Sequence, residues 1–234
     1  MNADKKVVFI TGASRGIGKA TTEKFLKEGW KVVGFYRENK IQDTEDVKFY
    51  QMDVSDENSV RLAIEKAYLD MKRVDAFVNC AGVLEDKYLE EYNKELMMKV
   101  MSVNEIGVYL CTKYILGKME DGAIISISST AGQVGSSDPI YAATKAAILA
   151  FTKSMAVKLA PKIRVNCVAP GLADTDMGRF GWSQGEFEKR AEMIPLRKIA
   201  SPQDIANGIY FLASDQSAHI TGACLDINGG YVLR

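Results

Sequence analysis

Short runs of apolar, often β-branched residues alternate along this chain with longer segments of helical period. This alternation constrains the fold most, because apolar runs that are flanked by turn residues and separated by helices form crossover units. Such units build a parallel sheet whose two faces are covered by helices. The strand candidates are residues 7–11, 31–36, 47–51, 74–79, 123–128, 164–168 and 224–227, and the helix candidates are residues 16–28, 58–71, 91–116, 141–160 and 202–213.

No linker rich in Pro, Gly or Ser, no block of like charges and no internal repeat interrupts the 234 residues. With 47% hydrophobic residues the chain can bury a large core, and parallel α/β folds reach this length undivided. We therefore predict one α/β domain spanning residues 1–234. It is a doubly wound Rossmann-type domain with a parallel seven-stranded sheet and helices on both faces.

Residues 172–198 break the alternation. Glycines supply hinge freedom there and aromatic side chains supply apolar surface, a combination that suits a lid over a substrate. The alternative is a surface excursion that packs its own aromatic residues, and composition does not separate the two. The residues concerned are Gly178, Gly181, Gly185, Phe180, Trp182 and Phe187.

The charge balance and the rare residue types exclude several classes of function. Thirty basic and thirty acidic residues give a formal net charge of zero, so no overall field attracts nucleic acid or an anionic membrane. The single histidine, His219, excludes a multi-histidine metal site and, away from position 219, a Ser-His-Asp triad or a Cys-His pair. We predict no metal site, and proton chemistry carried by Tyr, Lys, Ser or carboxylates.

Features that direct a protein out of the cytoplasm are missing from the sequence. The four cysteines form no C-x-x-C pair and lie in apolar runs, which is typical of small buried thiols. The polar start leads directly into a strand without the apolar core of a signal peptide, and no apolar run approaches the ~20 residues that span a bilayer. These features predict a reduced, cytoplasmic protein.

A glycine-rich turn, T-G-A-S-R-G-I-G at residues 11–18, joins the first strand to the first helix. Glycines in this setting permit a tight turn and a close approach of the backbone to a pyrophosphate, which then binds at the positive end of the helix dipole. The spacing is G-x3-G-x-G and not G-x-G-x-x-G. Although a glycine turn can be merely structural, the strand–turn–helix context favours dinucleotide binding.

The end of the second strand predicts the cofactor. An acidic residue there would hold the ribose of NAD, but this chain has Tyr36 followed by Arg37. Arg37 and Arg15 can close on a 2′-phosphate from two sides, because guanidinium groups match phosphate geometry. The alternative is two solvated surface arginines, and we predict NADP(H).

Tyr141 and Lys145 are four residues apart at the start of a helical segment, which puts both side chains on one helix face. A tyrosine titrates near ~10, so it serves as an acid–base group at neutral pH only when a cation stabilises its phenolate. Tyr-x-x-x-Lys alone is common by chance. Here a strand that ends in Ser128 and Ser129 precedes it and brings a hydroxyl to the same sheet edge.

With these motifs the chain resembles the short-chain dehydrogenase/reductase family from end to end. The resemblance includes the glycine turn, the tyrosine and the lysine, and it is nearest to the 3-oxoacyl-[acyl-carrier-protein] reductases. Further matching segments are Asp53-Val54, Asn79-Cys80-Ala81-Gly82, Asn104 in M-S-V-N-E, Ser129 in I-S-S-T-A-G, Pro170-Gly171-Leu172-Ala173-Asp174-Thr175, Ile220-Thr221-Gly222 and Asp226-Ile227-Asn228-Gly229-Gly230.

The resemblance implies four catalytic residues. Tyr141 would be the general acid in carbonyl reduction and the base in alcohol oxidation. Lys145 would lower the pKa of Tyr141 and bind the nicotinamide ribose. Ser129 would hold the substrate oxygen, and Asn104 would fix a water that links Lys145 to solvent.

The resemblance also implies the cofactor contacts. Asp53 and Val54 would contact adenine, Asn79 and Gly82 would contact the adenosine side, and Thr175 would contact the nicotinamide amide or a phosphate. The full set is Gly12, Ser14, Arg15, Gly16, Ile17, Gly18, Arg37, Asp53, Val54, Asn79, Ala81, Gly82, Tyr141, Lys145, Pro170, Gly171, Ala173 and Thr175.

Some positions depart from the family pattern. Only one of two adjacent strand residues can face the site, and the family's spacing to Gly132 selects Ser129, with Ser128 as the minor candidate. Cys80 replaces a more usual Asn and is expected to pack against the sheet. Ala173 stands where Ile is common, and His219 is interpreted as a packing residue.

The sequence therefore predicts an NADPH-dependent carbonyl reductase, similar to the 3-oxoacyl-[acyl-carrier-protein] reductases. Its substrate is a small molecule or an acyl thioester, acyl carrier protein is a candidate partner, and the resemblance implies a homotetramer. Glu120 near Lys118, before the fifth strand, speaks against an acidic carrier protein, while Lys162 keeps a positive charge. Alternatives are a sugar, steroid or small-ketone dehydrogenase of the same family, or a nucleotide-sensing or scaffold protein without turnover.

Overall fold

The computed structural model describes residues 5–38 and 41–233. The polar start that the sequence analysis used against a signal peptide lies mostly outside this part. Seven strands of the described residues form one parallel sheet in the order β3-β2-β1-β4-β5-β6-β7, which confirms the predicted doubly wound fold. The strands are β1 (Val7–Thr11), β2 (Lys31–Tyr36), β3 (Val47–Gln51), β4 (Ala76–Asn79), β5 (Gly122–Ile127), β6 (Ile163–Pro170) and β7 (Cys224–Ile227).

Helices cover both faces of this sheet. The longer ones begin or end within three residues of the predicted bounds, except that the predicted helix 91–116 is divided. The helices are α1 (Gly16–Lys27), α2 (Glu57–Met71), α3 (Lys94–Met101), α4 (Gly107–Leu116), α5 (Ala131–Val134), α6 (Pro139–Leu159), α7 (Asp176–Arg179), α8 (Gln184–Lys189) and α9 (Pro202–Ala213).

The alternation of side chains along each buried strand builds two cores, one on each side of the sheet. Phe9 of β1 points to the side covered by α2, α4 and α6, where Ile64 and Ile115 are buried. Ile10, the next residue, points to the side covered by α1 and α9, where Phe25 and Ile209 are buried. Because both faces are covered, the strands are almost continuously apolar, as a parallel sheet requires.

The predicted helix 91–116 is interrupted because its start and its middle have local alternatives to regular α-helix. Asn93 accepts a hydrogen bond from the Leu96 amide and so begins α3, after a short 3₁₀ turn at Leu89–Glu91. Between α3 and α4 the chain forms a π turn at Ser102–Ile106. Single π turns of this kind are frequent at functional sites, and this one contains Asn104.

Residues 172–198 contain α7, α8 and a 3₁₀ turn at Arg190–Met193. The aromatic residues there have two different environments: Phe187 is buried with the Arg179 guanidinium over its ring, whereas Phe180 and Trp182 are exposed. Gly178 is required for packing, since a Cβ there would lie 2.0 Å from the Ala173 carbonyl oxygen. In the described part of the chain, no helix combines the length and the apolar character needed to cross a membrane.

Candidate active site

A cavity of about 710 Å³ opens at the carboxyl edge of the sheet, a volume within the range of small-molecule and cofactor sites. It lies where the strand order reverses, between β1 and β4, with loops from both halves of the sheet around it. In open α/β sheets the connections leave in opposite directions at this point and open a crevice. The topology therefore positions the site.

The glycine turn forms one wall of the cavity through a close contact between β1 and β4. A Cβ at Gly12 would lie 2.9 Å from the Ala81 Cα, so only glycine permits this approach. The Thr11 hydroxyl accepts hydrogen bonds of 3.0 Å from the amides of both Cys80 and Ala81. Thr11 was not among the predicted site residues, although its position directly before the glycine turn indicates a role in holding that turn.

The first turn of α1 is suited to an anion. Arg15 at the N-cap makes no side-chain capping hydrogen bond, and the first turn carries no acidic residue. By contrast, a side chain caps the first turn of α2, α3, α6 and α9. The free N–H groups and the helix dipole of α1 therefore face the cavity beside Gly16 and fit a dinucleotide pyrophosphate.

The adenosine end of the cavity contains a carboxylate that the sequence analysis overlooked. Arg37 lines the cavity, as does Arg15, but the Arg37 guanidinium forms an ion pair with Glu38. Both partners are exposed, so this contact can exchange for another anion at low energetic cost. A carboxylate therefore does stand at this end of the cavity, directly after Arg37 and two residues beyond Tyr36, where an acid was expected and found missing.

Most of the other predicted cofactor residues line the same cavity, but Asn79 does not. Its side chain is buried within the sheet, where its amide nitrogen donates to Thr112 and Ser126. The inward direction of this strand residue prevents its side chain from reaching a cofactor, which corrects the predicted contact. The predicted residues that line the cavity are Gly12, Ser14, Arg15, Gly16, Ile17, Gly18, Arg37, Asp53, Val54, Ala81, Gly82, Tyr141, Lys145, Pro170, Gly171, Ala173 and Thr175.

The two adjacent serines point in different directions. The Ser128 hydroxyl is buried and donates to the Lys145 carbonyl oxygen at 2.7 Å, which ties β5 to α6. The Ser129 hydroxyl hydrogen-bonds toward the Tyr141 hydroxyl and acts to lower the pKa of that phenol. Ser129 is therefore the serine placed beside the tyrosine, as the spacing to Gly132 predicted.

Lys145 is buried beneath the cavity floor. Its Nζ donates to the Ile127 carbonyl oxygen at 2.9 Å and lies 5.6 Å from the centroid of the Tyr141 ring. Burial lowers the pKa of Lys145 to about 8, because the apolar surroundings disfavour the ammonium form. The lysine is therefore close to its titration point at mildly alkaline pH.

The pKa of the Tyr141 phenol is raised above its ordinary value and not lowered. Burial raises the pKa of its phenol, hydrogen bonding by Ser129 opposes the rise, and the negative charge of Asp138 adds to it. Tyr141 thus retains its proton well into the alkaline range.

Asn104 lies in the π turn behind the catalytic residues. Its side-chain oxygen accepts from the Val83 amide and its side-chain nitrogen donates to the Val83 carbonyl oxygen, both at 2.8 Å. A Cβ on Gly82 would lie 3.4 Å from this side chain and 3.6 Å from the Lys145 Nζ. Asn104 is thus close to Lys145 but is engaged with the backbone, and its link to a water stays a prediction.

The outer part of the cavity has an apolar wall with one basic group. Residues 172–198 contribute most of it, and the Arg190 guanidinium carbon stacks 3.8 Å above the Trp182 ring. Phe187, predicted to face a ligand, packs inside instead. The wall comprises Met177, Phe180, Trp182, Arg190, Met193, Ile194 and Tyr231, and of these the sequence analysis had singled out only Phe180 and Trp182.

Two expectations about remote residues require correction. Lys118 and Glu120 precede β5 and Lys162 precedes β6, so all three lie at the amino edge of the sheet, opposite the cavity. Their charges therefore say nothing about what approaches the site. His219 was expected to be a packing residue, but its side chain is exposed.

Comparison with known proteins gives matches along nearly the whole chain. A family model described as enoyl-(acyl carrier protein) reductase matches residues 12–232. The 3-oxoacyl-[acyl-carrier-protein] reductase FabG of Escherichia coli (strain K12) is 36% identical over 244 residues, covering 100% of both proteins.

Two solved structures extend the comparison. The structure of ElxO with NADP bound is 37% identical, with a TM-score of 0.89 and coverage of 97% of this chain and 98% of that one. A short-chain dehydrogenase/reductase from Brucella melitensis, named glucose/ribitol dehydrogenase, is 27% identical, with a TM-score of 0.93 and coverage of 98% and 97%.

The low pKa of Lys145 predicts a pH-dependent stability. In the unfolded chain the lysine titrates near ~10.4, so between pH 8 and pH 10 the unfolded state binds more protons than the folded state. The free energy of unfolding gains about 2 kcal/mol from this residue over that range. Urea unfolding at pH 7.5, 8.5 and 9.5 should show the gain in the wild type and its loss in Lys145→Met. Lys153→Met, which removes an exposed lysine of the same helix, should keep it. If the free energy of unfolding depends on pH equally in Lys145→Met and the wild type, the lowered pKa of Lys145 is wrong.

Proposed function

We propose that this chain, which belongs to the short-chain dehydrogenase/reductase family, is an NADPH-dependent 3-oxoacyl thioester reductase. Membership of the family makes it an oxidoreductase of CH–OH and C=O groups. The observation that carries the proposal is the convergence of Ser129, Tyr141 and Lys145 at one end of the cavity, with an uncapped helix terminus and two arginines at the other. One cavity thus holds proton-transfer groups and a site for a phosphorylated dinucleotide.

The proposed reaction converts a ketone, NADPH and one proton into an alcohol and NADP⁺. When bound, the dinucleotide supplies the hydride. Ser129 holds the carbonyl oxygen, and Tyr141 donates its phenol proton to that oxygen as the alkoxide develops. The raised pKa of Tyr141 keeps this proton available at neutral pH. Lys145, which titrates near pH 8, then passes a proton toward the phenolate.

NADP(H) is the cofactor. Arg15 and Arg37 both line the adenosine end, where their guanidinium groups suit a 2′-phosphate. In this proposal Glu38 holds Arg37 in place until the phosphate displaces it. The NADP bound in ElxO, at 37% identity, supports the same cofactor here.

An acyl thioester is the substrate that the outer wall favours. Met177, Phe180 and Trp182 offer an acyl chain an apolar surface, which a polyhydroxylated sugar would not need. The similarity to FabG supports this class, and the objection based on Glu120 no longer applies. Arg190 at the same wall is a basic group that an acidic carrier protein can meet.

Residues 172–198 act as the substrate lid in this proposal, and the assembly is a homotetramer. Phe180 and Trp182 are exposed while lining the cavity, as expected of side chains that a substrate covers. Apolar side chains that are exposed elsewhere, such as Val157 at 84% of its surface, are compatible with subunit contacts.

Tyr141→Phe should abolish carbonyl reduction while NADPH still binds, because the substitution removes only the proton donor. We expect the rate with an acetoacetyl thioester to fall at least ~100-fold. NADPH oxidation measures turnover, and cofactor fluorescence measures binding. Tyr109→Phe, which removes a phenol that does not line the cavity and that donates to Glu105, is the matched control and should keep the wild-type rate.

Variants of the two adjacent serines and a set of alternative substrates test the same assignment independently. Ser129→Ala should lose turnover, whereas Ser128→Ala should mainly lower the free energy of unfolding. If Tyr141→Phe retains the wild-type rate, the catalytic assignment is wrong. If a sugar or a small diketone is turned over while the acetoacetyl thioester is inert, the substrate class is wrong.

Arg37→Asp should move the cofactor preference from NADPH toward NADH, because the new carboxylate repels the 2′-phosphate and can accept from the ribose hydroxyl. Comparing kcat/KM with the two cofactors measures the change. Glu38→Gln should have the opposite effect, because it frees Arg37 from its ion pair. A wild-type preference for NADH would show that Arg15 and Arg37 do not bind a 2′-phosphate.

The lid should become ordered when substrate and cofactor bind together. Hydrogen exchange of peptides covering residues 172–198 is expected to slow in the presence of NADP⁺ and a 3-hydroxyacyl thioester, relative to NADP⁺ alone. The helix α2, which is remote from the wall, serves as the internal control. Equal protection of residues 172–198 in all states would exclude a closing segment.

A further inference from the structure

A buried carboxylate lies directly beside the tyrosine at the start of α6. Asp138 is 2% exposed, and both of its oxygens accept from the Tyr92 hydroxyl, at 3.0 and 2.8 Å. Tyr92 is itself 8% exposed and comes from the segment between β4 and α3. Among the described residues, no lysine or arginine pairs with Asp138 within 4 Å. A carboxylate this deeply buried requires such hydrogen bonds.

The same carboxylate begins the helix that carries the tyrosine. An oxygen of Asp138 accepts from the Tyr141 amide at 2.9 Å, which makes Asp138 the N-cap of α6. Pro139 follows at the first helical position, where its fixed φ suits the start of a helix. The Ser136 hydroxyl donates to the Asp138 carbonyl oxygen at 2.8 Å and holds the preceding turn. The position of the Tyr141 backbone therefore depends on Asp138.

Tyr92 connects this cap to the opposite wall of the site. The segment between β4 and α3 lines the cavity through Val83 and Glu85 before it reaches Tyr92. Burial and the neighbouring Asp138 raise the pKa of the Tyr92 phenol, so Tyr92 keeps its proton and remains a donor. One hydroxyl and one carboxylate thus tie the segment between β4 and α3 to the start of the catalytic helix.

We propose that Asp138, held by Tyr92, is a positioning residue for Tyr141: it fixes the first turn of α6 and places a buried negative charge at the turn that carries the phenol. The proposal rests on the proposed function, in which Tyr141 donates a proton. The charge disfavours the phenolate, so Tyr141 stays a proton donor to a higher pH than it would beside a neutral cap. The device therefore widens the pH range of carbonyl reduction.

Other charged and titratable groups also face this region. Lys145 lies on the same helix, and Cys80, whose thiol pKa burial raises to about 12, follows β4. Glu85 lines the cavity from the β4–α3 segment but is paired with Lys99 at 2.8 Å. Asp176 and Arg190 line it from residues 172–198. Among the described residues, Asp138 is the acidic group whose charge raises the pKa of Tyr141.

Asp138→Asn separates the charge from the cap, because an asparagine side-chain oxygen can still accept from the Tyr141 amide. The experiment is the pH profile of kcat for reduction of an acetoacetyl thioester between pH 6.5 and 10.5. Deprotonation of Lys145 lowers kcat from about pH 8 in both proteins, so the limb compared here is the further loss of kcat that Tyr141 causes at higher pH. We expect this alkaline limb to move to lower pH in Asp138→Asn by about half a unit or more. At pH 7 its kcat should stay within about threefold of the wild type.

Two further variants separate positioning from charge. Asp138→Ala loses cap and charge together, so its alkaline limb should shift equally, while its kcat at pH 7 should fall about tenfold through the displaced first turn. Tyr92→Phe keeps the charge and removes the link, so its kcat should fall with the alkaline limb near the wild-type position. Asp56→Asn at the N-cap of α2 and Tyr109→Phe are the matched controls, and neither should change kcat or the profile.

The outcomes distinguish this inference from the proposed function. An unchanged alkaline limb in Asp138→Asn overturns the inference while leaving Tyr141 as the donor. Wild-type turnover in Tyr141→Phe overturns the proposed function instead. If thermal unfolding shows that Asp138→Asn does not fold, Tyr92→Phe decides, because a wild-type kcat in that variant overturns the positioning role.

Discussion

The close approach of β1 and β4 at their carboxyl ends is the contact on which the site depends. Gly12 lies so near Ala81 that a Cβ would come within 2.9 Å of its Cα, and the Thr11 hydroxyl binds the two amides that follow β4. This contact aims the start of α1 at the crevice where the strand order reverses. The free N–H groups of α1 can meet a pyrophosphate because the two strands converge there.

Burial decides the electrostatics at the other end of the crevice. It lowers the pKa of Lys145 to about 8 and raises the pKa of Tyr141, so at neutral pH both groups still carry their protons, and the lysine is the one that releases its proton more readily. Here Asp138 and burial together favour the phenol, which is the form that carbonyl reduction needs.

Much of the architecture was predictable from the sequence because it depends on local patterns. The bounds of β1, β2, β3 and β7 agree with the prediction, since turn residues flank each apolar run. The helix 91–116 was predicted as continuous because a π turn leaves no periodicity signal. The expected positions of Lys118 and Lys162 near the cavity were wrong, because a residue's place in the sequence does not by itself show at which edge of the sheet it lies.

The sequence alone determined the order of the elements, the glycine turn and the pairing of Tyr141 with Lys145, because helix and strand periodicity fix which near neighbours share a face. Only the tertiary structure decided that Asn79 is turned into the core, where its side chain meets Thr112 of α4 and Ser126 of β5. It also joined Asp138 to Tyr92, which is 46 positions away in the chain. Such contacts depend on how separate elements pack, and no local periodicity encodes them.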